Sequence, residues 1–165
     1  MVMGGKKSRN KGANFERAIA KRLREWLGDD WTVKRNPTDR QKGKAGAGEF
    51  EIVGPLPFPF AIECKAHESF DYGQLFKTPL TGPFVGFWEQ AKAQAEAAEK
   101  RPLLFIKKNN GPVIAVLGSD SIADIRPVTE YGRQLRIYHM DCYVIEAASF
   151  FATYPSMLYE IGRNG

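Results

Sequence analysis

Two hydrophobic rhythms alternate along the chain, one helical and one extended. Phe15, Ala18-Ile19, Leu23 and Trp26-Leu27 recur at helical spacing and predict an amphipathic helix over roughly 13–27, with Asn10 or Asn14 as cap and Gly28 as stop. Trp31 to Arg35 alternates and predicts a short strand, and Glu49 to Val53 alternates acid with apolar residues. Gly54-Pro55-Leu56-Pro57 then turns the chain into a further strand over 58–65, with Pro57 and Pro59 at its start. A second helix is predicted over 84–100, with Phe87, Ala91, Gln94-Ala95 and Ala98 inward and Arg101-Pro102 as its stop. Apolar runs 103–107 and 113–117 flank Asn109-Asn110-Gly111-Pro112, the pattern of a hairpin. Beyond them, a short helix at 119–125, strands near 135–138 and 143–145, and a helical 147–154 complete the reading.

Helices and strands in that order imply a mixed sheet with helices packed against it, an α/β domain. At 165 residues the chain suits one domain, 1–165, in which residues 1–12, rich in Gly, Lys and Arg, form a flexible basic arm. Polar, glycine-rich stretches at 36–48 and 66–84 are expected to be loops.

Charge changes this picture more than composition does. The net charge is +5, but residues 1–50 alone carry +7 and the remainder −2. Lys6, Lys7, Arg9, Lys11, Arg17, Arg35, Arg40, Lys42 and Lys44 lie in that basic half, which suits a polyanionic partner such as DNA or a merely solvated face. Lys107 at a later strand end is a further candidate phosphate contact. No apolar run approaches the roughly 20 residues of a membrane span, and no apolar stretch follows the basic N-terminus as in a secretory signal. Two cysteines, Cys64 and Cys142, supply neither a disulfide framework nor a zinc site, so a reduced, intracellular (cytoplasmic) protein is expected.

Candidate chemistry sits around the Gly-Pro turn. Alternation puts Glu49 and Glu51 on one side of their strand, and Glu63 with Lys65 on one side of the next. A simple hairpin between the strands gathers three carboxylates and an ammonium. Acids so close repel one another unless a cation binds, and Mg²⁺ prefers such oxygens. A lysine beside them can stabilise charge building on a phosphate. The plain alternative is an ordinary Glu–Lys surface strand.

The order Lys11-Gly-Ala-Asn-Phe-Glu16-Arg17 on a first helix, Glu51-Ile52-Val53, Ile62-Glu63-Cys64-Lys65, Gln90 on a later helix and Pro102 to Lys107 resembles the PD-(D/E)xK nuclease superfamily. Within it, the pattern is similar to the archaeal-type Holliday junction resolvases and their phage relatives, over roughly residues 5–117. The resemblance implies a restriction-endonuclease-like central mixed sheet flanked by helices. It implies Mg²⁺- or Mn²⁺-dependent phosphodiester hydrolysis leaving 5′-phosphate and 3′-hydroxyl ends, branched DNA (a four-way junction) as substrate, a homodimer, and a phage as one source. It assigns Glu51 and Glu63 as metal ligands with the Cys64 backbone carbonyl, Glu16 as an aid to metal or water binding, Lys65 as the phosphate-side cation, and Gln90 near the site. The family's strand acid is usually Asp. The acid-Ile-Val match favours Glu51, whereas simple hairpin counting sets Glu49 opposite Glu63. Rival readings are a restriction- or repair-type nuclease, or an inactive DNA-binding protein on the same fold.

Overall fold

A computed structural model describes residues 4–36, 48–121, 134–153 and 155, with the side chains at 4–8, 134 and 139 outside the description. The chain runs α1 (Gly4–Leu27), β1 (Thr32–Arg35), β2 (Phe50–Val53), β3 (Phe60–Ala66), a 3₁₀ turn (Tyr72–Phe76), α2 (Pro83–Ala97), β4 (Arg101–Lys107) and β5 (Val113–Gly118). It continues through β6 (Gln134–Ile137), a second 3₁₀ turn (Tyr138–Met140), β7 (Cys142–Glu146) and α3 (Ala147–Phe151).

Five strands form one sheet in the order β3-β4-β5-β7-β6. β3 and β4 are parallel, joined by the crossover through α2, and the remaining pairs are antiparallel. Both faces are covered. Phe15, Ile19, Leu23 and Leu27 of α1 and Phe150 of α3 pack on Ile62, Leu103 and Phe105, whereas Phe84, Trp88 and Ala91 of α2 pack on Leu104, Ile106 and Val116. Alternation along β4 thus divides its apolar residues between two cores, as expected of a strand buried on both sides. The mixed, helix-flanked α/β sheet expected from the sequence is the one observed.

Local features depart from expectation where tertiary contacts override pattern. The predicted β2–β3 hairpin does not form: β2 pairs with β1, Lys34 opposite Glu51, as a separate two-stranded ribbon. Pro55, Pro57 and Pro59 interrupt the connection and donate no amide hydrogens to a tight ladder. Trp31 occupies the space beside Gly54, where a Cβ would lie 2.2 Å from its ring. Helix α1 begins at Gly4 rather than near residue 13, so positions 4–12 are helical where a flexible arm was expected. Ala18 is exposed and Ala20 takes its place in the core.

On the inner face of α2, Ala91 and Ala95 are buried as predicted, but Trp88 takes the place expected of Phe87: its Nε1–H donates to the Met140 carbonyl at 3.2 Å, and Phe87 is half-buried. Pro83 occupies the first turn of α2, where a missing N–H costs no helical bond. Pro102 lies inside β4, at a position that pairs with Ala61 of β3 before the β5 ladder starts at Leu103. The expected helix at 119–125 falls mostly outside the described residues, as do Tyr154 and positions 37–47.

Candidate active site

β3 is the outer strand of the sheet on its side, and its alternation decides which residues meet which helix. Phe60, Ile62 and Cys64 enter the core beneath α1 and α3. Glu63 and Lys65 therefore face α2. Glu63 is 2% exposed, and its Oε1 accepts from Lys65 Nζ at 2.9 Å and from Gln90 Nε2 of α2 at 3.4 Å. Lys65 keeps about a quarter of its side chain in solvent, with its ammonium 5.8 Å from the centre of the Phe87 ring. His67, in line with Glu63 and Lys65 two residues on, packs edge-on against the same ring at 5.3 Å. Its Nδ1 accepts the Ser69 amide, which orients the imidazole.

The two candidate strand acids stand in different environments. Glu51 is exposed in β2, opposite Lys34. Glu49 precedes the strand and is buried at 4% exposure. Its amide donates to the carbonyl of Ile62 at 2.8 Å, which lays the Glu49 backbone against β3 one residue before Glu63. The approach depends on Gly48, whose φ is +69° and which forms a parallel bridge with Ile62. Glu49 and Glu51, expected to share a side, thus differ because Glu49 lies in the turn that follows Gly48 and Glu51 in the strand after it.

Glu16 is held by Arg35 of β1, whose Nε and second terminal nitrogen both donate to its Oε2. Among the described residues, the hydrogen bonds and ion pairs of Glu63 and Lys65 do not include Glu16. Arg35 is therefore engaged in the fold, whereas Arg17 is exposed and bonds Asn14 at 2.9 Å. Arg9 and Lys107 are exposed, and Lys11 bonds Glu68. The side chains of Lys6 and Lys7, and residues Arg40, Lys42 and Lys44, lie outside the described residues.

The segment between β3 and α2 is tied to its surroundings rather than loose. The bond from Lys11, then the one from Asn109, holds the Glu68 carboxyl below its ordinary value. Lys108 reaches Asp71 at 3.8 Å, and the Tyr72 hydroxyl donates to the Pro112 carbonyl. Of the aromatics there, Phe84 is fully buried and Phe76 is 75% exposed.

One residue near the acids escaped the sequence reading. Asn36, 7% exposed, donates its side-chain amide to the Gly48 carbonyl at 2.8 Å and its backbone N–H to the Glu49 carbonyl at 2.9 Å. Only the break in the β1 alternation, where a polar residue follows Arg35, hints at it.

The residues fit a divalent cation in kind, though not as a completed cluster. Among the described residues, no group of three or more His, Cys, Asp or Glu side chains is arranged to hold an ion, so the predicted three-carboxylate cluster is not assembled. Yet Glu63 presents one oxygen to Lys65 and Gln90 while its Oε2 is buried with no hydrogen-bond partner. A buried carboxylate oxygen in that state is costly without a proton or a cation, and carboxylate oxygens suit Mg²⁺. The Cys64 side chain is committed to the core, which leaves its backbone carbonyl for the role that the resemblance gives it.

No helix among the described residues is long and apolar enough to cross a membrane. No curated protein and no solved structure matches the chain. Residues 7–156 match the sequence model of a family described as "Phage putative PDDEXK endonuclease", a span that contains Glu16, Glu49, Glu63, Lys65 and Gln90. With that match over most of its length, and a helix-flanked mixed sheet carrying a buried Glu-x-Lys pair on its outer strand, the chain belongs to this phage family of PD-(D/E)xK endonucleases.

Proposed function

We propose that the protein hydrolyses phosphodiester bonds of branched DNA, with a four-way junction as its preferred substrate and a divalent cation, Mg²⁺ or Mn²⁺, held by Glu63 and Glu49. The observation that carries the chemistry is the division of labour on Glu63. Oε1 is fixed by Lys65 and Gln90, and the buried Oε2 is left for a cation. Glu49 is the better second ligand because it is buried beside β3, while Glu51 faces solvent across from Lys34. When bound, the cation supplies Lewis-acid polarisation of the phosphate and of a water nucleophile.

The remaining roles belong to the chain. Lys65, partly exposed and anchored by Glu63, presents a point charge to a non-bridging phosphate oxygen as negative charge builds there. Gln90 holds the Glu63 carboxylate in one rotamer. Glu16, neutralised by Arg35, braces α1 against β1 near the Gly48–Glu49 turn that Asn36 binds. The exposed cations Arg9, Arg17 and Lys107 suit phosphate contacts that position a duplex without reading its sequence. The basic first 50 residues favour a polyanionic partner, and a homodimer would pair two sites for the two cuts a junction needs.

A synthetic four-way junction and a matched linear duplex, incubated in Mg²⁺ at the same concentration, test the substrate. Preferential, paired nicking of the junction is expected. Equal cutting of both makes the protein a general endonuclease, and absence of cutting in Mg²⁺ and Mn²⁺ overturns the reading.

A further inference from the structure

The buried residue Asn36 has no place in the chemistry above, yet two of its hydrogen bonds end on the two residues that bring an acid to β3. Its Nδ2 donates to the Gly48 carbonyl at 2.8 Å, and its backbone N–H donates to the Glu49 carbonyl at 2.9 Å. On the other side of the same turn, the Glu49 N–H donates to the Ile62 carbonyl at 2.8 Å. The turn is thus clamped from both flanks, by Asn36 after β1 and by Ile62 in β3. Gly48 makes the clamp possible: its φ of +69° disfavours a side chain, and a Cβ there would meet the Ile62 oxygen at 2.2 Å.

We propose that Asn36 is a positioning residue that sets the Glu49 carboxylate beside Glu63 and so fixes the spacing of the cation site. This rests on the nuclease reading and deepens it. The backbone bond to Glu49 survives any side-chain change, so the part of the clamp that mutation removes is the amide bond to Gly48. Without it, the Gly48 carbonyl loses its bond from β1's side, and Glu49 is held by its backbone bonds to Asn36 and Ile62 with the peptide before it free to tilt. Glu63, held by Lys65 and Gln90 on the other flank, is unaffected. The loss falls on the relation between the two acids, and hence on cation affinity rather than on DNA binding.

A purely structural role for Asn36 gives a different pattern, which makes the two separable. Mn²⁺ binding to the full chain without DNA, followed by electron paramagnetic resonance, is the primary readout. Outer partners of metal ligands typically contribute 10- to 100-fold in affinity. Asn36→Ala is therefore expected to weaken Mn²⁺ binding by roughly tenfold or more, raise the Mg²⁺ midpoint for cleavage similarly, and leave KM for DNA within about twofold. Asn36→Asp, equal in size but unable to donate to Gly48, is expected to behave the same and serves if the alanine variant folds poorly. In a Glu49→Gln background, Asn36→Ala is expected to cause no further loss. An unchanged Mn²⁺ affinity in either folded variant, or an equal loss with and without Glu49, overturns the proposal. Wild-type protein that binds no Mn²⁺ and cuts no DNA overturns instead the nuclease reading on which it stands.

Discussion

The sheet carries an ionic cluster at each of its two ends, similar in composition and opposite in depth. At β3, the Glu63 side chain is 3% exposed and meets Lys65 and Gln90, with one oxygen left over. Beside β6 and β7, Asp141 is 76% exposed and accepts from Ser119 at 2.6 Å and Arg136 at 2.8 Å. The outer cluster gives its acid partners and water, and it caps a short turn in the left-handed region at Asp141. The inner cluster leaves one carboxylate oxygen where neither protein nor solvent satisfies it. Exposed pairs contribute little to stability, and buried ones often cost more in desolvation than they return. Position in the fold therefore separates a pair that decorates the surface from one kept for another purpose.

The sharpest break between the two ends is catalytic. Lys65→Ala and Glu63→Gln are expected to lower single-turnover cleavage by on the order of 10³, while gel-shift affinity for a junction stays within a few-fold. Full activity in both would leave the buried cluster with no better claim than the exposed one. A smaller contrast concerns the strand acids. Glu49→Gln is expected to reduce cleavage by about 10² and Glu51→Gln by less than about threefold, in parallel Mg²⁺ assays. The reverse order would move the ligand to the exposed acid and end the link between burial and chemistry.

Smaller still are effects at the far end, where only stability is expected to respond. Burial pushes the Cys142 thiol up to about 12, mainly by desolvation. Between about 9 and about 12 the native state keeps a proton that the unfolded chain releases, so stability falls as pH rises through that window. Thermal melts of wild type and Cys142→Ala across that range should converge as pH increases. The Ser119 hydroxyl, and more weakly Arg136, hold the Asp141 carboxyl below its ordinary value. Its contribution is present at neutral pH and lost as pH falls through that depressed value. Asp141→Asn is expected to flatten the acid limb of a melting-temperature profile by at most about two degrees, with cleavage unchanged.

Most of the sheet was legible because strands buried on both faces write themselves as apolar runs, as in Leu103–Ile106 and Ile114–Leu117. The Glu63-x-Lys65 pair was equally legible, since alternation alone puts both on one side. Pairing partners were not. Nothing local to Glu49–Val53 says that it joins Thr32–Arg35 rather than β3, because the contact that fixes this, Trp31 against Gly54, is 23 residues apart in sequence. The same blindness concealed Asn36 and left Glu49 and Glu51 indistinguishable: a turn at Gly48, held by β3, buries one and exposes the other. Within α2 only Phe87 was misplaced, because Phe87 and Trp88 are both large and apolar, and contacts with Lys65 of β3 and His67 just beyond it make a half-wet site for the former.

An outer strand such as β3 is also where separate molecules zip together into aggregates, since among the described residues its outer row of backbone groups meets only the short bridge at Gly48. Ions turned inward on such a strand make it a poor template for a second copy. Glu63 sits at mid-strand and Lys65 next to its end, so replacing both with leucine should raise thermal resistance and lower solubility together. The residues proposed to cut DNA would then also keep neighbouring molecules from fusing into fibrils.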